Sequence, residues 1–303
     1  MIERHIHNHL IWIDLQNPTN EEIREIMTEF ELAPELVHDF AAPVPRSEAI
    51  CVNKVIKLTM DFPVVRRTDM KGPHEMKFIV GSNFFITVHY ESITSLDNFK
   101  KELEVVETLR KSKTRLTGAD LYIALMNVLY ESIALKLDYL YSKVSDIEAE
   151  LYDGHEREMV FQISALSRRL ITFKETLRAH DDVFRDAKNH FEHAYKTKYH
   201  DKLADLHMHY FHLMRRTLSQ FETLEDFRST NLELLSTRQN EIMKLFTILA
   251  FVTFPLTLFT SMFGMNTKTA PITGQDGDFW IILAIMTAIA TLFFLFFKYK
   301  KWL

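Results

Sequence analysis

Two stretches of this 303-residue chain, Leu245–Phe263 and Phe279–Phe297, run for 19 residues each without a charged side chain. At about 1.5 Å of rise per residue, each makes a helix about 28 Å long, close to the ~30 Å hydrocarbon core of a bilayer. A buried helix of a soluble protein seldom runs so far without charge. Both stretches therefore read as transmembrane helices. The overall hydrophobic content of 47% is ordinary for a soluble protein and hides this, because the chain before Lys244 is densely charged.

The flanks set an orientation. Lys244 precedes the first run, and Lys298, Lys300 and Lys301 follow the second, whereas the connecting loop pairs Lys268 with Asp276 and Asp278. The positive-inside rule then places both termini in the cytoplasm, in the cell (inner) membrane, with the loop outside. Trp280, Tyr299 and Trp302 stand at the run ends, where amphipathic rings prefer the interface. Met1 to His9 is polar and histidine-rich, unlike a secretory leader.

Composition excludes several functions. A net charge of -5 argues against a nucleic-acid partner. Cys51 is the single cysteine, so no intrachain disulfide is possible, and it reads as a small buried residue of a strand. Only seven glycines occur, none in a phosphate-cradling loop, and there is no His-Glu-x-x-His. We read the chain as a non-enzyme without a cofactor.

The fold class is α+β. Residues 1–115 read as an α/β domain. Leu10–Leu15 is a strand, Thr19 with Glu22 forms a capping box that starts a helix, and Ala49–Val65 and Glu75–Glu91 are strand-rich with turns near Gly72 and Gly81. Residues 116–244 read as a helical bundle and stalk. Leu137, Leu140, Val144, Ile147 and Leu151 are spaced 3, 4, 3, 4, and Ile163, Leu166, Leu170, Phe173 and Leu177 repeat that spacing beyond a turn at Gly154. Leu203, Leu206, Tyr210 and Leu213 continue it. No proline occurs between Pro73 and Pro255, so one helix can run from about Tyr199 into the membrane. The remaining segments are the membrane helices at 245–263 and 279–297, the loop 264–278 and the basic tail 298–303.

The chemistry lies on the first membrane helix. Asn240, Met243, Thr247, Ala250, Phe254, Thr257, Ser261 and Gly264 are spaced 3, 4, 3, 4, 3, 4, 3 and form one stripe, nearly all of it polar, small or thioether-bearing. The other faces are mostly bulky aliphatics and phenylalanines, which suit lipid. A small, polar stripe suits either close helix packing or the wall of an aqueous pore. A single helix encloses nothing, so the pore reading requires several copies. Pro255 bends a helix in either setting.

The stripe ends in Gly264, Met265 and Asn266. With two membrane runs behind it, this triplet resembles the signature of the CorA family of magnesium channels. Pro255-Leu256-Thr257, Asn240-Glu241-Ile242-Met243-Lys244, the ending Lys-Tyr-Lys-Lys-Trp-Leu, Trp12-Ile13-Asp14-Leu15 and Phe85-Ile86-Thr87-Val88-His89 extend the resemblance along the chain. The chain departs from the family at Phe254, often methionine; at Phe263, commonly tyrosine; and at Thr267–Pro271, where many members carry Met-Pro-Glu-Leu.

The resemblance implies a funnel-shaped homopentamer in membrane lipid that conducts divalent cations, magnesium first. Gly264, Met265 and Asn266 would form the selectivity filter, with Asn266 carboxamides contacting the hydrated ion. Asn240 and Met243 would line the inner throat, and Phe254 would form a hydrophobic constriction along a pore completed by Thr247, Ala250, Thr257 and Ser261. Cytoplasmic magnesium would gate the channel through acidic residues. An ungapped register places Asp205 at one such position, with Asp201 as a neighbour and Ser229 at another; the alternative for Asp205 is a plain solvated carboxylate. His180, His190, His193, His200, His207, His209 and His212 crowd the helices. They read as a metal-free cluster, or as the mark of a zinc, nickel or cobalt transporter of the ZntB branch. A non-conducting, membrane-tethered metal sensor is the reading from a different class.

Overall fold

A computed structural model describes residues 2–7, 9–44, 46–63, 73–109, 116–151, 154–265, 277–300 and 302. Six strands form one sheet: β1 Ile2–His7, β2 Leu10–Gln16, β3 Glu48–Val52, β4 Val55–Phe62, β5 His74–Val80 and β6 Phe84–His89. Their order is β1-β2-β6-β5-β4-β3. Only the central β2–β6 pair is parallel. The helices are α1 Asn20–Glu29, α2 Pro34–Val37, α3 Thr94–Leu109, α4 Gly118–Glu150, α5 Glu156–Tyr195, α6 His200–Phe263 and α7 Asp278–Tyr299. A 3-10 turn, Lys196–Tyr199, joins α5 to α6.

The capping box forms as the spacing predicts. Thr19 Oγ1 accepts from the Glu22 N–H, and the Thr19 N–H donates to the Glu22 carboxylate. The sequence reading missed β1, whose alternation is masked by histidine, and also the β3–β4 hairpin. That hairpin turns on Asn53 and Lys54, both at positive φ (52° and 66°), a type I′ arrangement built here without glycine. Cys51 lies in β3 as expected, but it is half-buried rather than buried.

Both sheet faces are covered, so β4, β5 and β6 are buried along nearly their whole length, charged residues included. On one face, Ile13, Leu15, Ile79, Ile86 and Val88 pack with Ile23 and Ile26 of α1 and Leu36 of α2. Two fully buried lysines share this side. Lys57 Nζ donates to Asp39 at 2.7 Å, and Lys77 Nζ lies 2.8 Å from Glu75 and donates to the Tyr90 hydroxyl at 2.7 Å. Such charges persist in an interior only because each is paired and hydrogen-bonded.

The other face carries Trp12, Phe78 and Phe85 against α3, α4 and α5; Trp12 packs on Phe99 of α3 and Phe78 on Tyr122 of α4. Here the structure joins two segments far apart in sequence. In the β2–β6 register Asp14 lies opposite Thr87. Asp14 accepts from Thr87 Oγ1 at 2.5 Å and from His89 Nε2 at 3.1 Å, and Lys100 Nζ of α3 stands 2.6 Å away. Burial raises a carboxylate's pKa and is the largest effect on Asp14, but His89 and Lys100 together outweigh it and hold the carboxyl below its usual range. His89 is shifted upward because Asp14 outweighs its own burial.

Helices α4, α5 and α6 assemble by the predicted heptads. Leu137, Leu140, Val144, Ile163, Leu170, Phe173, Leu177, Leu206 and Tyr210 are all buried. Polar pairs fix the directions. Lys202–Asp120, His209–Asn127 and Arg216–Asp138 tie α6 parallel to α4, while His200–Glu192, His207–Asp181 and Glu225–Ser167 tie α6 antiparallel to α5. Gly154, at φ 88°, turns the chain between α4 and α5. The structure divides into two compact units, Met1–Arg228 and Ser229–Leu303.

Candidate functional site

In the second unit, α6 and α7 carry the apolar runs long enough to cross a membrane. Each helix has one shielded face. On α6, Ile248 is buried and Val252, Leu256, Phe259 and Phe263 are half-buried. On α7 the shielded positions are Ile282, Met286, Ile289, Phe293 and the buried Phe297. Both sets recur every three or four residues, and the most buried member of each lies at opposite helix ends in sequence. That is the pattern of an antiparallel pair closing on these faces.

The polar stripe lies elsewhere on α6. Asn240, Met243, Thr247, Phe254, Thr257, Ser261 and Gly264 are exposed, Phe254 to 73%, and Ala250 is half-buried. Met265 is 62% exposed. Asn266 falls outside the described residues, as do Lys268 and Asp276 of the loop.

Local chemistry gives this face its character. The Thr247 hydroxyl donates to the Met243 carbonyl at 2.7 Å, and the Thr257 hydroxyl to the Thr253 carbonyl at 2.8 Å. Thr260, not singled out from sequence, does the same to the Thr257 carbonyl at 2.9 Å. A threonine whose proton is donated to its own helix keeps its oxygen lone pairs as acceptors. Water bound to a cation presents protons, so such oxygens suit a hydrated cation better than an anion. Pro255 adds to this, since without an N–H it leaves the Phe251 carbonyl without its helical donor. Thr253 and Thr260 widen the polar face. Their signal was the Thr253, Thr257, Thr260 spacing of 4 and 3, beside the stripe rather than on it.

Gly264 closes the helix with its N–H on the Thr260 carbonyl at 2.8 Å. A Cβ there would lie 3.1 Å from that same carbonyl, so the position is tight. Its φ is not in the left-handed region; crowding against the preceding turn, and not a reversed backbone, favours glycine here.

The regulatory and histidine candidates belong to the first unit. Asp205 and Asp201 are exposed on α6. Among the described residues no group of three or more His, Cys, Asp or Glu side chains is arranged to hold a metal ion. The histidines disperse into separate contacts. His200 meets Glu192 at 3.1 Å, His207 meets Asp181 at 3.2 Å, and His190 meets the Ala49 carbonyl at 3.2 Å. His180 is fully buried. Its Nδ1 accepts from the Tyr130 hydroxyl at 2.9 Å and its Nε2–H donates to the Asp61 carbonyl at 2.6 Å, which fixes a neutral tautomer. Burial pushes its pKa down to about 4.

Comparison with known proteins covers the whole of this architecture. The family model described as "CorA-like Mg2+ transporter protein" matches residues 7–300. The cobalt/magnesium transport protein CorA of Methanocaldococcus jannaschii is 23% identical over 302 residues, spanning 97% of this chain and 92% of the relative. The complete structure of the CorA magnesium transporter from that organism superposes with a TM-score of 0.84 at 20% identity, covering 99% of this chain and 93% of the other. The ZntB cytoplasmic domain from Vibrio parahaemolyticus gives 0.62 at 12% identity over 77% of this chain and 90% of that domain, a likeness of fold alone.

Proposed function

This chain belongs to the CorA family of Mg2+ transporter proteins, and from that premise we propose that it is a divalent-cation channel that takes up magnesium through a pore lined by α6. One observation carries the proposal. The exposed stripe of α6, away from the shielded residues, sets the hydroxyls of Thr247, Thr257 and Ser261 among Ala250 and Phe254 with no charged side chain, leading to Gly264-Met265-Asn266. A pore must be wet on one side and apolar on the other, and this helix has both sides.

Magnesium gives up its octahedral water shell reluctantly, so a selective mouth reads the hydrated ion. Asn266 carboxamide oxygens accept hydrogen bonds from coordinated waters, and Met265 anchors the loop, since a thioether is a poor ligand for so hard a cation. Threonine oxygens on α6 then take over the same waters. Phe254 closes the path by dewetting. Asn240 and Met243 line the inner throat. A membrane potential of 100 mV supplies about 4.6 kcal/mol for the double charge.

One α6 cannot surround an axis, so the channel is a homo-oligomer, with five copies expected from the family. The exposed apolar side chains Met208, Phe211 and Leu218, which follow heptad-like spacing on α6, support contact between copies. Both termini are cytoplasmic, by the lysine bias at the ends of the two apolar runs. Cytoplasmic magnesium gates the pore through Asp205, with Asp201 as its neighbour, each completed by ligands from an adjacent copy. The zinc-transport reading is less well supported, because His180, His190, His200, His207 and His209 each hydrogen-bond to different partners.

Magnesium flux into proteoliposomes tests the proposal. Asn266→Ala should remove selective uptake while leaving the protein folded and inserted. Undiminished flux in that variant overturns the filter. Competition by zinc, nickel and cobalt in the same assay ranks the ions, and the absence of any metal-dependent flux leaves the non-conducting sensor.

A further inference from the structure

Helix α6 keeps a single seven-residue register. Leu203, Tyr210, Thr217, Leu224 and Asn231 are buried at intervals of seven, and the half-buried Val252 and Phe259 fall in the same series. With these as the f positions of a heptad abcdefg, Asn240, Thr247, Phe254 and Ser261 are a, and Met243, Ala250, Thr257 and Gly264 are d. The stripe of the proposed pore is therefore an a/d seam, opposite the face that the chain covers itself. A strict seven-residue repeat belongs to helices that supercoil about one another, since a straight helix drifts off it by about 20° per heptad.

The two flanks of this seam differ in size. On the e side stand Phe251, Leu258 and Met265, exposed to 57%, 64% and 62%. Gly264 still makes the helical bond to the Thr260 carbonyl, so Met265 stands where the next e residue belongs. On the g side stand Phe246, Thr253 and Thr260, also exposed. Both threonine hydroxyls donate to their own helix, Thr253 to the Ala250 carbonyl at 3.5 Å and Thr260 to the Thr257 carbonyl at 2.9 Å. Neither holds a proton out for a partner, so each is a short, methyl-bearing seat. Where parallel helices share a seam, the g residue of one meets the following e residue of its neighbour. At the inner end two rings then meet, Phe246 and Phe251. In the next two heptads a bulky side chain meets a short one: Leu258 on Thr253, and Met265 on Thr260.

We propose that Met265 of one copy seats on Thr260 of the next, one heptad beyond Leu258 on Thr253, and that Thr260 is thereby a positioning residue for the mouth. The inference rests on the reading that α6 lines a pore shared by several copies. The two unlike flanks select a second copy over lipid. A bulky flank and a short one on the same helix match when a neighbour presents the same helix in parallel, as head-to-tail contacts around a ring require. The hydroxyl-bearing seam between the flanks gains nothing from acyl chains. An unbranched thioether fills a shallow seat well, which gives Met265 a task that does not involve the ion.

Cysteine pairs in the full chain, on a Cys51→Ser background in phosphatidylcholine vesicles, test the seat. Oxidation should link Thr260→Cys with Met265→Cys into a ladder of dimers and larger species. Thr253→Cys with Leu258→Cys should do the same, while each single substitution stays monomeric. Ladders from the single substitutions as strong as those from the pairs overturn the inference. So does the absence of a ladder from both pairs in vesicles that still conduct magnesium, which leaves the channel reading intact. Ladders from the pairs, where the wild type passes no magnesium, uphold the seat and overturn the channel reading. For the positioning role, Thr260→Phe fills the seat and should lower the ratio of magnesium to cobalt flux several-fold. Thr260→Val keeps a methyl group there and should hold the wild-type ratio. An unchanged ratio in Thr260→Phe overturns the positioning role.

Discussion

Asp14 and His89 lie 75 residues apart in sequence and 3.1 Å apart in the folded protein, carboxylate oxygen to Nε2, on the one parallel strand pair of the sheet. The pair is almost wholly buried, at 2% and 3% side-chain exposure, and Lys100 completes it from α3. Removing one member of a buried ionic cluster leaves the others uncompensated, which costs about 3–5 kcal/mol. Asp14→Asn should therefore lower the thermal midpoint of the first unit sharply, read by circular dichroism.

The same pair makes stability depend on pH with two opposite signs. Asp14 titrates lower in the folded state, so its contribution is present above the unfolded value of about 3.9 and is lost as pH falls through the depressed folded value. His89 titrates higher when folded, so its contribution is complete below about pH 6.5 and is lost as pH rises through the elevated folded value. His89→Gln should flatten the alkaline limb of the stability curve. An unchanged slope above pH 6.5 would refute this.

His180 works in the other direction. Its folded value of about 4 lies below the unfolded value near 6.5, so the unfolded chain takes up the proton first and stability falls as pH drops from 6.5 towards 4. The full effect is about 3 kcal/mol. Denaturant melts at pH 7 and pH 5 should show this loss in the wild type. His180→Gln should be less stable at pH 7, having lost its packing on Phe62 and Tyr210, but should show a shallower acid slope.

Gly118 opens α4 directly against the β5–β6 turn. A Cβ there would lie 2.2 Å from the Phe84 carbonyl and 2.5 Å from the Gly81 carbonyl, both backbone atoms that cannot step aside. Gly118→Ala should destabilise the first unit by at least the ~1–3 kcal/mol typical of overpacking. A thermal midpoint within a degree of wild type would contradict this.

Lys196 is held at φ 58° and ψ -141° where α5 gives way to the 3-10 turn, a region glycine occupies far more easily than any other residue. Lys196→Gly should stabilise the protein by about 1 kcal/mol after allowing for glycine's greater entropy when unfolded. Equilibrium unfolding measures the sign.

Phe254 offers a functional test. It is 73% exposed on the proposed pore face. Phe254→Ala should raise resting magnesium flux several-fold in proteoliposomes by letting the constriction wet, whereas Phe251→Ala, another exposed phenylalanine three residues earlier and off the stripe, should not.

Much of this protein is written in local pattern. Thr19 and Glu22 are three residues apart, and that spacing alone makes the capping box. The heptads from Leu137 to Leu213 required nothing beyond a helix of 3.6 residues per turn to become the buried seam of α4, α5 and α6. The two uncharged runs announced α6 and α7, because length and lack of charge are one-dimensional properties. The stripe from Asn240 to Gly264 was equally visible, since every member lies on one helix.

What the sequence withheld depends on contacts between distant segments. Nothing local marks Asp14, Thr87, His89 and Lys100 as partners; only the parallel pairing of β2 with β6 and the placement of α3 bring them together. The histidines look like one cluster along the chain, yet the antiparallel α5–α6 and parallel α4–α6 contacts distribute them among Glu192, Asp181, Asn127 and the interior. The turn at Asn53 and Lys54 escaped because positive φ without glycine leaves little trace in composition. Periodicity fixes which residues share a face, because a helix or strand is a local object. Which partner that face meets is a long-range property, settled only when the sheet closes and the helices pack upon it.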